Sequence, residues 1–199
     1  MAAKKIQINR APVMTLWATV VAERLGYDAG AALSLGKAVA GLNAQSKGRR
    51  LGIYKPSGEQ EVPKGKPKPT EPTFINLLGR PVPTLRTKKG LRAAIRGEVV
   101  ESEPVEEYLA KKFGADLAEV RNAMETVARS FEPEALAAQA FGLYEKFRPQ
   151  IPEGTRGWGA AGELDLGLVQ RLAKPQPKVI KVRKSTGAGA SRRSKGGGR

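Results

Sequence analysis

Residues 12–45 read PVMTLWATVVAERLGYDAGAALSLGKAVAGLNAQ, and this stretch predicts two helices joined by a short turn. Its apolar residues recur every three or four positions, which is the spacing of one helix face. Pro12 suits the start of the first helix, and Gly26 is placed to end it. Asp28 can then cap a second helix over about residues 29–45. The stretch therefore predicts a helical hairpin, which we take as the N-terminal unit, residues 1–45.

Three glycines within the second predicted helix indicate that another backbone packs close against it. They are Gly30, Gly36 and Gly41. Each costs about 1 kcal/mol of helix propensity relative to alanine, a cost that is tolerable where another backbone packs close. The hairpin alone is too small to bury a core. We therefore expect it to pack within the chain, with dimerisation through Leu16, Trp17 and Val20 as the alternative.

Residues 46–72 have the composition of a linker. Five prolines and four glycines exclude a helix over most of this segment. The run KGKPKP at 64–69 is typical of an extended basic linker. The run LGIY at 51–54 can form one short strand.

The segment that follows predicts a small β element and then a helix. Apolar runs at 74–78 and 82–85 flank Gly79-Arg80-Pro81, which is the pattern of a hairpin. The minor β element is thus expected around residues 51–86. Residues 87–96, TKKGLRAAIR, are expected to form a short helix with apolar residues on one side. Its other side would carry four cations, namely Lys88, Lys89, Arg92 and Arg96.

Residues 101–173 predict an acidic helical bundle. Amphipathic patterns indicate helices over about 103–113, 116–131 and 133–147, and a last short helix over 163–173. Four carboxylates cluster at the first of these helices, where they favour its positive N-terminal end. They are Glu101, Glu103, Glu106 and Glu107.

The predicted fold class is mainly α, with a helical hairpin, a small helical bundle, a minor β element and a disordered basic tail. The domain division follows the composition of the chain. It comprises the hairpin at 1–45, the Pro/Gly-rich basic linker at 46–72, the β element plus acidic bundle at 73–173, and the tail at 174–199.

The net charge of +16 is unevenly distributed. Residues 1–100 hold 18 Lys/Arg and 6 Asp/Glu, residues 101–173 hold 8 and 13, and residues 174–199 hold 9 and none. A pI near 10.3 with basic segments of this kind indicates a polyanionic partner. We expect a non-enzymatic, largely sequence-independent nucleic-acid-binding protein, with DNA favoured over RNA.

Two alternatives stay open at this point. One is an interaction or assembly protein that binds acidic protein partners or ribosomal RNA. The other, less expected, is a nucleic-acid-processing enzyme that works without histidine or cysteine. The acidic bundle is the expected contact for a second copy of the chain or for a protein partner.

Several kinds of chemistry are excluded or not indicated by the sequence. The chain has no cysteine and no histidine, so disulfides, thiolate zinc sites and catalysis by a Ser-His-Asp triad are excluded. No catalytic residue, cofactor or metal is expected. No run approaches the roughly 20 apolar residues that span a bilayer, and the N-terminus lacks a secretory pattern. A cytoplasmic protein is expected, nucleoid-associated if bacterial, with no membrane partner.

The candidate phosphate-binding residues fall into two groups. Those of the front half are Lys47, Arg49, Arg50, Lys55, Arg80, Arg86, Lys88, Lys89, Arg92 and Arg96. Those of the tail are Lys178, Lys181, Arg183, Lys184, Arg192, Arg193 and Lys195. A tail that is basic and poor in large apolar residues can follow a phosphate backbone and release counterions. Contacts of this kind position a protein without reading sequence.

Two motif matches are weak. Residues 106–125 fit a loose helix-turn-helix template that would present Arg121 and Asn122 outward. The acidic residues of the second helix would repel phosphate, so a plain helical bundle is the expected interpretation. Residues 157–162 match G-x-G-x-x-G, but they follow a proline-rich loop rather than a strand, which favours a turn over a dinucleotide site.

Overall fold

The computed structural model describes residues 4–50, 72–155 and 159–173. The predicted strand at 51–54, the basic run at 64–69 and the predicted disordered tail lie outside the described residues. Within the described ranges the fold is mainly α with a minor β component, as the sequence predicts.

The predicted N-terminal hairpin is confirmed. Helix α1 spans Arg10–Arg24 and helix α2 spans Ala29–Arg50, so α2 is five residues longer than expected. The Ala31 amide donates to the Asp28 carboxylate at 2.9 Å, which is the predicted cap. Gly26 has a φ of 98°, a left-handed conformation that ends α1 at little cost.

The close approach of α1 and α2 is centred on Gly36. A Cβ atom built on Gly36 would lie 2.6 Å from the Thr15 carbonyl oxygen and would also overlap the Thr19 hydroxyl. That hydroxyl donates to the Thr15 carbonyl at 2.8 Å, so the backbone of α1 and a bonded side chain both face the glycine. The expected close contact is thus confirmed at Gly36. At Gly41 the nearest atom would be 4.0 Å away.

The acidic bundle consists of helices α3 (Glu103–Phe113), α4 (Leu117–Arg129) and α5 (Pro133–Phe147). A single 3-10 turn, Gly114–Asp116, joins α3 to α4. Each helix begins and ends within two residues of its predicted bounds. The prolines and glycines that punctuate the sequence therefore set these boundaries.

The hairpin packs on this bundle through Trp17. The Trp17 indole N–H donates to the Ala140 carbonyl of α5 at 2.8 Å, and its ring meets Phe147 edge to face at 5.4 Å. Leu16, Trp17 and Val20 are all buried. Packing within the chain, which we expected in preference to dimerisation, is confirmed.

The minor β element is larger than predicted and its last part corrects a predicted helix. Strands β2 (Thr73–Leu77), β3 (Arg80–Thr87), β4 (Gly90–Ile95) and β5 (Glu98–Val99) form one sheet in that order. All neighbouring strands are antiparallel. The predicted β2–β3 hairpin is present. The predicted helix over 87–96 was wrong, because those residues form the β3–β4 turn and strand β4.

A second sheet joins the two ends of the described chain. Strand β1 (Lys5–Ile8) pairs antiparallel with strand β6 (Gly162–Asp165), and helix α6 (Leu166–Arg171) follows directly. The prediction of one helix over 163–173 was therefore correct only from Leu166 onward. The side chain of Asp165 caps α6 by accepting from the Leu168 amide at 3.0 Å.

One hydrophobic cluster connects residues of both sheets and of all six helices in the described chain. Helix α2 also contacts β4 directly, because the Ala93 amide donates to the Ser34 hydroxyl at 3.0 Å. The four-stranded sheet is thus held against α2. In the described ranges no helix combines the length and apolar character that crossing a membrane requires.

Candidate nucleic-acid interface

The turn between β3 and β4 positions Lys88 and Lys89. The Thr87 hydroxyl donates to the Gly90 carbonyl at 2.9 Å and accepts from the Lys89 amide at 3.2 Å. Gly90 has a φ of 103°, which other residues rarely adopt. This tight turn is the physical reason that residues 87–96 do not continue as a helix. It places both lysines at the exposed tip of the hairpin.

Lys89 is occupied by carboxylates. Its ammonium lies 3.4 Å from Glu101 and 3.2 Å from Glu103, at the start of α3. The bonds to Glu103 and Glu101 raise the pKa of Lys89. Although Lys89 is exposed, part of its charge is already neutralised, so it is a weaker candidate for a phosphate than its neighbour Lys88.

Arg92 is buried, with 7% of its side chain exposed, so the prediction that it lies on an exposed helix face was wrong. Its guanidinium donates to the Leu91 carbonyl at 2.7 Å and lies 3.6 Å from the Asp28 carboxylate. A Cβ atom on Gly30 would come within 2.9 Å of the Arg92 Cζ. Arg92 therefore packs β4 against the start of α2, with its guanidinium next to Gly30.

A group of basic residues gathers at the other end of α2. The Arg80 guanidinium contacts the Asn43 side-chain oxygen at 3.4 Å, which brings β3 to the last turns of α2. Lys47 lies one helical turn beyond Asn43, and Arg50 ends the helix. Arg96 lies in the β4–β5 turn, directly after Ile95, which approaches Gly41 of α2.

Six of the predicted residues are therefore available to an external anion. None of the six forms an ion pair with a described residue, and five are exposed, whereas Arg80 is half-buried. We call them the free cations: Lys47, Arg50, Arg80, Arg86, Lys88 and Arg96. Arg86 and Lys88 lie at the β3–β4 end of the four-stranded sheet, and Arg80 and Arg96 lie at its opposite end. Lys47 and Arg50 lie in the last turns of α2.

The remaining predicted residues cannot be placed in this arrangement. The side chain of Arg49 and all of Lys55 lie outside the described part of the chain. The same holds for the predicted tail residues, which are Lys178, Lys181, Arg183, Lys184, Arg192, Arg193 and Lys195.

Basic residues near the N-terminus are paired with the acidic block. Lys4 lies 2.7 Å from Asp116 and 2.6 Å from Glu119, and Lys5 lies 2.8 Å from Glu163. Bonds to the two carboxylates raise the pKa of Lys4 to about 12. These lysines contribute to the net charge of residues 1–100, but because they are paired with carboxylates they add little positive charge that an external anion could bind.

The helix-turn-helix template is not supported by the contacts of Arg121. This guanidinium binds Glu23 of α1 at 2.6 Å and Glu125 of its own helix at 2.9 Å. Arg121 therefore ties α4 to the hairpin instead of pointing outward as a base reader. The expected interpretation, a plain helical bundle, fits these contacts.

Phe74 is a feature of the sheet that the sequence pattern alone did not indicate. It lies on β2 and is 65% exposed, while the other large hydrophobic residues in the described ranges are at least partly buried. Residues 72–97 also contain six Lys/Arg and no Asp or Glu. The absence of acids over this stretch is a signal that could have been found in the sequence.

Comparison with known proteins gives no match: no protein-family model matches this chain, and no curated protein or solved structure does either. A function is therefore inferred from the arrangement of the free cations, the acid-free stretch and the exposed ring.

Proposed function

We propose that this chain is a non-enzymatic nucleic-acid-binding protein that holds the phosphate backbone with little dependence on sequence. The observation that carries this proposal is the acid-free stretch, residues 72–97, which forms β2, β3 and β4 and has free cations near both ends of β3. An anion that approaches this sheet meets unpaired positive charge, whereas Lys4, Lys5 and Arg121 are already bound to carboxylates.

The basic segment 174–199 adds to this surface a second source of positive charge. Its nine Lys/Arg and no Asp/Glu can neutralise phosphates and release counterions. Phosphate contacts fix position and orientation but carry no sequence information. We favour DNA over RNA as the ligand, and since phosphate contacts alone do not distinguish the two, RNA is compared directly in the test.

Salt titration of binding to random-sequence oligonucleotides tests the proposal. For duplex DNA the logarithm of the binding constant should fall linearly with the logarithm of salt, by about 0.9 for each phosphate neutralised. Replacing all nine basic residues of 174–199 by glutamine, within the full-length chain, should remove most of the binding. Binding that is weak at low salt, or that does not respond to salt, would contradict the proposal.

A pair of double variants locates the folded part of the surface. Arg86→Ala with Lys88→Ala removes two free cations and should lower the salt slope by at most about 1.8 units. Lys111→Ala with Lys112→Ala is the matched control, because it removes two exposed cations of acidic α3 that form no ion pair with a described residue. If the control weakened binding as much as the first pair, the sheet would not be the binding surface.

A further inference from the structure

Phe74 is placed as an exposed ring on a rigid strand. It pairs with Pro83 in the register of β2 and β3. Beside it, the hydroxyls of Thr73 and Thr84 lie 2.9 Å apart, and the Thr84 hydroxyl donates to the Thr73 carbonyl at 2.8 Å. These bonds hold the strand next to the ring. The 65% exposure of Phe74 is therefore a property of a fixed surface.

The ring lies on the outer face of the sheet. Val82 and Thr84 of β3 are buried, so Pro83 between them, and its partner Phe74, belong to the opposite face. Phe74 and Pro83 together form a small apolar platform there. Strand β2 is also the edge of the sheet, so a ligand can reach the platform from the side.

Positive charge lies on both sides of this platform along β3. Pro83 is three residues from Arg80 and three from Arg86, about 10 Å along the strand in each direction. The alternation of β3 places both arginines on the inner face at their Cβ atoms. The Arg80 guanidinium contacts Asn43 of α2 on that face, whereas Arg86 is exposed near the end of the strand. The acid-free stretch offers no carboxylate to the outer face.

We propose that Phe74 stacks on an unpaired base of single-stranded nucleic acid, whose phosphates meet the cations around the platform. This inference rests on the proposed function and specifies the form of nucleic acid that the sheet prefers. Aromatic rings stack on any base, so the contact needs no sequence preference. Bases inside a duplex are already stacked on one another, so the ring can stack on them only after they are unstacked or extruded, which costs free energy.

The charge of the platform argues against a second copy of the chain as its occupant. Pairing two β2 edges would bring the acid-free basic stretches of two chains together, and like charges across such a contact are unfavourable. A polyanion with flat apolar faces fits both the ring and its surroundings.

The test compares an ordinary single-stranded oligonucleotide with an abasic one of the same length and charge, using the full-length chain. Phe74→Ala should weaken binding of the ordinary strand by about 5-fold to 150-fold, the range for loss of one stacked base. It should leave binding of the abasic strand and of duplex unchanged. Phe74→Leu, which keeps apolar area without an aromatic ring, should behave like the alanine variant, and Phe74→Trp should keep the binding.

The Phe74→Trp variant gives a second, direct readout. Stacking should quench the fluorescence of the introduced indole when the ordinary strand binds, after subtraction of the wild-type signal from Trp17 and Trp158. Because Phe74 is largely exposed, its variants should unfold at nearly the wild-type temperature, which a thermal scan checks.

The outcomes separate this inference from the proposed function. If wild type shows no salt-dependent binding to any nucleic acid, the proposed function fails. If wild type binds but Phe74→Ala binds the ordinary strand equally well, only the stacking role is overturned. If Phe74→Ala instead changes the oligomeric state with no change in binding, β2 is an edge for pairing with another chain and the inference is wrong.

Discussion

The substitution Gly36→Ala gives the sharpest test of how α1 and α2 pack. The new Cβ would lie 2.6 Å from the Thr15 carbonyl oxygen, 0.8 Å short of the 3.4 Å at which ordinary contact begins. The opposing atom is backbone, so α1 as a whole has to move. That movement would disturb the packing of Trp17 on α5.

The expected magnitude is the difference between two effects. Overpacking of a close contact costs about 1–3 kcal/mol, and a backbone overlap of this size belongs near the upper end. Replacing a helical glycine by alanine returns about 1 kcal/mol. Gly36→Ala should therefore lower the free energy of unfolding by about 2 kcal/mol, or the melting temperature by about 4–8 °C.

Gly142 of α5 provides the matched control, because a Cβ there would meet nothing within 4 Å. Gly142→Ala should raise the free energy of unfolding by up to about 1 kcal/mol, from helix propensity alone. Urea unfolding followed by circular dichroism measures the free energy of unfolding of both variants. Equal m-values would show that wild type and variants expose the same amount of surface on unfolding. A Gly36→Ala variant as stable as wild type, or stabilised like Gly142→Ala, would refute the proposed close contact.

Two pH-dependent predictions follow from the side-chain environments. The pKa of Glu103 is lowered to about 2 by hydrogen bonds from its own backbone amide, the Lys89 ammonium and the Ser102 hydroxyl. The ionised carboxylate therefore stabilises the folded chain above about pH 4.5, and this stabilisation is lost as the pH falls towards 2. A carboxyl titration by NMR should find that low midpoint, and Lys89→Ala should move it upward; an unmoved midpoint would show that Lys89 is not the partner. Burial raises the pKa of Tyr144 to about 12, so stability should fall as the pH rises from about 10 through 12. Ultraviolet absorbance titration of the folded chain should show a tyrosine ionising near pH 12, and Tyr144→Phe should remove that step; ionisation of all tyrosines near pH 10 would contradict the burial.

The helices could be predicted from sequence because their signals are local. Apolar spacing defines a helix face, and proline or glycine marks each boundary, as at Pro133 and Gly114. Sequence also predicted the cap at Asp28, whose partner amide is three residues away. It predicted a close backbone approach at the glycines of α2, which the structure shows at Gly36 but not at Gly41.

The β structure could be predicted only in part, because its signals are ambiguous or distant. Leu91, Ala94 and Ile95 fit a helical spacing, but the Thr87 hydroxyl bonds and the left-handed conformation of Gly90 form a turn there instead. The pairing of Lys5 with Asp165 joins residues 160 positions apart, and no local pattern reports such a contact. Long-range pairing of this kind is a tertiary property.

The sequence identified the basic residues of the candidate site but not which of them are exposed and unpaired. Sequence placed Lys88, Lys89, Arg92 and Arg96 together on one helix face. The structure instead buries Arg92 and pairs Lys89 with two carboxylates, leaving the other two exposed. Whether a cation of the β3–β4 hairpin is exposed and unpaired depends on carboxylates near the starts of α2 and α3. The sequence pattern within the hairpin carries no information about those contacts.

Ion pairs with the acidic block reduce the positive surface that residues 1–100 offer to an external anion. The block binds Lys4 and Lys5, so the net charge of residues 1–100 overstates the positive surface near the N-terminus. Residues 47–97 hold 13 Lys/Arg against 3 Asp/Glu, which is most of that net charge. Carboxylates of the acidic block thus form ion pairs with Lys4 and with strand β1, while the free cations of α2 and the sheet form no ion pair with a described residue. A phosphate backbone attracted to the front half would meet that side of the molecule, where the exposed ring of Phe74 also lies.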